Sequence, residues 1–72
     1  MPIYKDSGLD SVSIKIIRFL QKHPDKAFRP KEIAEKIGEH PSTVSDRLVR
    51  LHFDRGLVEN QIDGSHAYWH IV

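Results

Sequence analysis

The apolar residues of this chain change rhythm once, at Gly56, and that change limits the folds open to it. Before Gly56 they recur at three- and four-residue spacing, and after it they alternate. Val12, Ile16, Phe19 and Leu20 form one helical stripe with Ile17 at its edge, while Lys15, Arg18 and Lys22 face away. The spacing predicts a helix from about Ser11 to His23, capped by Asp10 or Ser11 and stopped by Pro24. The stretch 25–29 is too short for a helix and reads as a loop or a single extended bridge anchored by Phe28. Ile33, Ala34 and Ile37 then give a two-turn helix that Pro30 opens and Gly38 closes, with Glu32 in its first turn. Only Glu39 and His40 intervene before Pro41 opens a third helix, whose stripe is Val44, Leu48 and Leu51 and whose run ends at Gly56. Beyond it, Leu57 to Ile62 reads as a strand, Asp63-Gly64 as a hairpin turn, and His66 to Val72 as the return strand. Ala67, Trp69 and Ile71 share one face of that strand, and His66, Tyr68 and His70 the other.

Three helices and one hairpin are an α+β arrangement, and 72 residues have room for one such unit. Residues 1–9 read as an extended or loosely ordered lead-in, and 10–72 as the domain. With no cysteine there is no thiolate for a zinc site, disulfide or nucleophile, which suits a reducing cytoplasmic setting. No apolar run approaches the ~20 residues of a membrane span, and the opening Met1-Pro2-Ile3-Tyr4-Lys5-Asp6 does not have the form of a signal peptide. Serines occur without a paired histidine motif, carboxylates are scattered, and the glycines punctuate elements without forming a phosphate loop, so no catalytic set and no cofactor site are expected. The five histidines raise the question of a metal. His66 and His70, four residues apart on one strand face, are ~13 Å from each other, too far for one ion to bridge. Their other role is titration, since protonation near pH 6 adds up to five charges to a chain of net charge +1. With so feeble a global charge, any binding of nucleic acid has to come from local arrangement.

A short helix, a tight glycine turn and a longer helix outline a helix-turn-helix. On the third helix, opposite its apolar stripe, Ser42, Thr43, Asp46, Arg47 and Arg50 are groups that suit a major groove. Arginine forks onto guanine, serine and threonine reach base or phosphate, and aspartate accepts from cytosine. Asp46 and Arg50 also stand four residues apart, within reach of a pairing along the helix. Periodicity alone fits equally the solvated face of an ordinary amphipathic helix.

The stretches Lys31-Glu32-Ile33-Ala34-Glu35-Lys36-Ile37-Gly38, Pro41 to Leu51 and Arg55-Gly56-Leu57-Val58 closely resemble winged helix-turn-helix regulators, the MarR-like and ArsR-like group of archaea and bacteria. The resemblance covers about residues 11–72. It implies a supporting second helix, a third helix that reads double-stranded DNA in transcription regulation, and a hairpin wing against the neighbouring backbone. On that reading Arg47 and Arg50 are the main contacts, with Ser42, Thr43, Ser45 and Asp46 as selectors. Lys31 and the wing residues Asn60, Gln61, Ser65 and His66 hold the DNA backbone. Two features depart from the pattern. The wing tip, Ile62 to His66, carries no permanent positive charge, which leaves His66 as the substitute for the usual arginine. The helices through which such regulators usually dimerise have no counterpart here, and a homodimer stays open. The weak charge and unarmed wing suit an alternative, a winged-helix protein-interaction module of a replication or transcription complex. Small domains that bind left-handed nucleic acid resemble the chain in length and in a terminal strand with tryptophan. They rely on an Asn and a Tyr one turn apart on the third helix, where this chain has Ser45 and Val49, so that activity is not carried over.

Overall fold

Asp10 sets the start of the first helix: its Oδ1 accepts the Ser13 backbone N–H at 2.9 Å, satisfying one of the donors a helix leaves open. In this computed structural model, which describes residues 9–72, the helix α1 spans Ser11–Lys22, with His23 as its cap residue and Pro24 following. The expected lead-in over 1–9 lies outside the described residues except for Leu9, which packs against the core. Helix α2, Pro30–Ile37, starts where the Arg29 N–H donates to Glu32 Oε1 at 2.9 Å. It ends at Gly38, whose φ of 75° is a left-handed conformation that costs other residues ~1–2 kcal/mol. Helix α3, Pro41–Arg50, is capped by His40, whose Nδ1 accepts the Ser42 N–H at 3.2 Å. The Lys15 ammonium reaches Glu39 at 2.8 Å and ties α1 to the turn between α2 and α3.

The third helix does not run to Gly56 as one α-helix. It widens into a π-turn over Leu51–Arg55, and the Leu57 N–H returns to the Leu51 carbonyl at 3.1 Å across Gly56, where φ is 64°. Leu51 stays buried through this turn, so the core stripe survives while Phe53 is turned out, 77% exposed. Strands β1, Val58–Asp63, and β2, His66–Ile71, pair antiparallel, with Val58 opposite Ile71 and Asp63 opposite His66. Because Asp63 still pairs, the two turn residues are Gly64 and Ser65, one later than the expected Asp63-Gly64. Positive φ falls on Gly64 (65°) and not on Ser65, the pattern of a II′ hairpin turn.

Phe28 forms the anchored bridge. Its N–H donates to the Trp69 carbonyl at 2.9 Å, and the Trp69 N–H donates back at 2.7 Å. The connection between α1 and α2 thus lies along the open edge of β2. The core gathers Ile16 and Leu20 of α1, Ile33 and Ala34 of α2, Val44 and Leu48 of α3, and Leu51, Val58 and Trp69. Burying each large aliphatic side chain stabilises the fold by ~1.5–3 kcal/mol. Among the described residues no helix is long and apolar enough to cross a membrane.

Candidate nucleic-acid interface

The start of α2, the start of α3 and the wing tip meet around one open groove. Arg29, Lys31, Ser42, Ser45, Ser65 and His66 line it, together with Pro30, Pro41 and Ala67. Five residues expected from the sequence to touch DNA are therefore brought together: Lys31, Ser42, Ser45, Ser65 and His66. The fold explains why. The bridge between Phe28 and Trp69 holds the chain just before Pro30 against β2, which sets the α2 start beside the wing. Pro30 and Pro41 open their helices without N–H groups to leave unsatisfied.

Arg47 and Arg50, expected as the main contacts, lie on another flank of α3. Arg47 Nε donates to Asp10 Oδ2 at 2.6 Å, and its Nη1 donates to Asp46 Oδ2 at 2.6 Å. Arg50 Nε donates to the same Asp46 oxygen at 3.1 Å, the four-residue pairing anticipated above. Both guanidiniums border a hollow between the N-terminus of α1 and the end of α3, with Leu9, Ser13 and Asp54. The Ser13 backbone bond and then Arg47 pull the Asp10 carboxyl down to about 2, and the bond to Asp10 holds the Arg47 guanidinium above its ordinary value. Half-buried and doubly paired, Arg47 is a brace between α1 and α3. Thr43 is half-buried as well.

The wing residues also separate. Gln61 sits with His70 against Pro24, Asp25 and Lys26, away from the groove. Asn60 stands opposite Trp69 in the ladder and is exposed. Two residues in the region were not anticipated. Arg29 adds a cation to the groove, placed there by a long-range bridge that no local pattern announces. His40 holds α3's first turn: its Nδ1 takes both the Ser42 N–H and the Ser42 hydroxyl, the latter at 2.8 Å, so the ring proton is on Nε2 and Ser42 Oγ is left as an acceptor. Among the described residues no group of three or more His, Asp or Glu is placed to hold a metal ion.

Three helices, a helix-turn-helix between α2 and α3, and a C-terminal hairpin make this chain a winged helix-turn-helix domain. Solved structures share the fold. A possible transcriptional regulator from Methanosarcina mazei Go1 is 16% identical, with 89% of this chain matching 57% of that one at a TM-score of 0.76. The homodimeric winged helix-turn-helix DNA-binding domain of Mb0332 from Mycobacterium bovis, a possible ArsR-family transcriptional regulator, is 26% identical over 86% of this chain and 54% of its own, at 0.71. This chain spans a little over half the length of those two. The Zalpha domain of Carassius auratus PKZ, in complex with Z-DNA, is 28% identical over 85% of this chain and 92% of its own, at 0.70. No family model and no curated protein sequence matches the chain.

Proposed function

We propose that this domain binds double-stranded DNA in transcription regulation, with the wing side of α3 in the major groove and the ends of α2 and the hairpin on the flanking backbone. The observation that carries the reading is the groove itself, which brings Arg29 and Lys31 from the start of α2 and His66 from the wing around Ser42 and Ser45 of α3. Arg29 and Lys31 at the rim meet phosphates, the His66 ring offers a further hydrogen bond, and small hydroxyls at the centre let the helix approach base edges. Likeness to DNA-binding winged helices supports the same reading. Arg47 serves it indirectly, by tying α3 to α1 through Asp10, while Arg50, paired with Asp46 along its own helix and 68% exposed, keeps the DNA contact expected of it.

Titrating a fluorescent mixed-sequence duplex through a series of salt concentrations tests the proposal. About four phosphate contacts give a slope of log affinity against log salt of about −4. Lys31→Ala and Arg29→Ala each reduce that slope by about one, at every sequence alike. A left-handed d(CG) repeat duplex, run in parallel, measures the activity that the Carassius auratus neighbour shows; with Ser45 and Val49 on α3, the ordinary duplex is expected to bind better. Absence of binding to either duplex overturns the proposal and favours the protein-interaction alternative.

A further inference from the structure

Where a helix of this kind meets base edges, most of the informative side chains are expected to be polar, yet the wing-side stripe of α3 ends in two exposed apolar residues. Ser42, Ser45 and Val49 follow one another at helical spacing, and Phe53 comes one turn later in the π-turn. Val49 is 45% exposed and Phe53 77% exposed. Phe53 is also propped. Its ring stands edge-on to His52 at 4.7 Å, and the His52 ring is fixed by Nδ1–H donating to the Val58 carbonyl at 2.9 Å and by the Trp69 ring at 6.0 Å. The two arginines on this helix are engaged with Asp10 and Asp46, so the stripe itself is uncharged, while Arg29, Lys31 and His66 surround its N-terminal end.

We infer that Val49 and Phe53 read the C5-methyl groups of thymine in the major groove, so that the domain selects for thymine at the positions under the end of α3. The inference rests on the DNA-binding reading above. The serine end of the stripe, rimmed by Arg29 and Lys31, fits the phosphates at the edge of a duplex, and its neutral, apolar end fits a part of the groove that offers carbon. The major groove over a thymine is such a surface, with phosphates on either side and a methyl between them. Thymine carries that methyl in unmodified DNA; 5-methylcytosine presents it beside an amino donor, and neither Val49 nor Phe53 has an acceptor for that donor.

The test removes the methyl and nothing else. A duplex enriched from a random library by the wild-type domain is prepared once with thymidine and once with deoxyuridine at every thymidine, which keeps charge, pairing and hydrogen-bonding groups. The thymidine form binds more tightly by about fourfold for each methyl covered, equivalent to ~0.8 kcal/mol. Val49→Ser and Phe53→Ser, both at exposed positions, shrink that ratio toward one, and circular dichroism shows that each variant is folded. Equal wild-type affinities for the two duplexes overturn the inference and leave DNA binding standing. Failure to bind either duplex overturns the DNA-binding reading with it. A third duplex, with 5-methylcytosine for cytosine, is expected to bind no better than its unmethylated form; a gain there larger than the thymine effect reassigns the strip and overturns the thymine assignment.

Discussion

Asp10 does two jobs with one carboxylate, capping α1 through Oδ1 and holding Arg47 through Oδ2. Its carboxyl ordinarily titrates at 3.8 and is held at about 2 here. The folded state therefore binds that proton less readily than the unfolded chain. The associated stability is present above pH ~4 and is lost as pH falls toward 2. With the carboxylate 44% exposed, solvent screening reduces the worth of this shift to about 1 kcal/mol. Asp10→Ala is expected to lower stability by about 1–2 kcal/mol at pH 7 in urea unfolding, and the gap between variant and wild type narrows below pH 3. An undiminished gap at low pH shows that the carboxylate's charge is not what matters. Asp46 is the second junction, accepting from Arg47 and Arg50 at one oxygen. Asp46→Asn keeps the shape and removes the charge, so affinity for random duplex is expected to rise several-fold at low salt and the salt slope to steepen. The pairing of Asp46 with Arg50 was legible from their spacing. The claim of Asp10 on Arg47 was not, because it joins residues far apart in the chain and needs the packing angle of α1 on α3.

Elements were legible where local chemistry decides them. Pro30, Gly38 and Pro41 bound α2 and the start of α3 through constraints on φ and on the N–H, which act without tertiary help. The apolar stripes of all three helices point into the core as their spacing requires. Two boundaries were misplaced where tertiary pairing overrides local signals. At Leu51 the helix widens because the chain has to bury Leu51 and still turn back for Val58. At the wing, Asp63 pairs with His66, and the turn moves on to Gly64-Ser65. A Cβ at Gly64 meets no neighbour, so only its φ of 65° resists substitution. Gly64→Ala is expected to cost ~1–2 kcal/mol of hairpin stability and to weaken DNA binding through Ser65 and His66, with little change in helical circular dichroism. Loss of the helical signal as well indicates that the wing supports the whole fold.

At the scale of the molecule there is one core and no reserve. A small domain is stable by roughly 5–15 kcal/mol, at the low end for this size, and Leu48→Ala at a fully buried site is expected to remove ~2–5 of these. Thermal unfolding of that variant should begin below physiological temperature, and a shift of only a few degrees indicates a core that relaxes around the gap. The groove was the least legible part of the site, since Lys31, Ser42 and His66 could be named but nothing local set Arg29 beside them. What sets it there is the pair of hydrogen bonds between Phe28 and Trp69, and these have a consequence in time. Contacts between α2 and α3 close short loops, whereas joining Phe28 to Trp69 closes most of the chain and is paid for in entropy before it is rewarded. The return strand is thus expected to dock late in folding. Trp69 is the chain's single tryptophan and is buried by that docking. In a stopped-flow refolding experiment its fluorescence and the proposed capacity to bind DNA should rise at one rate, after the helices have formed, so the groove is assembled in the same step that completes the fold.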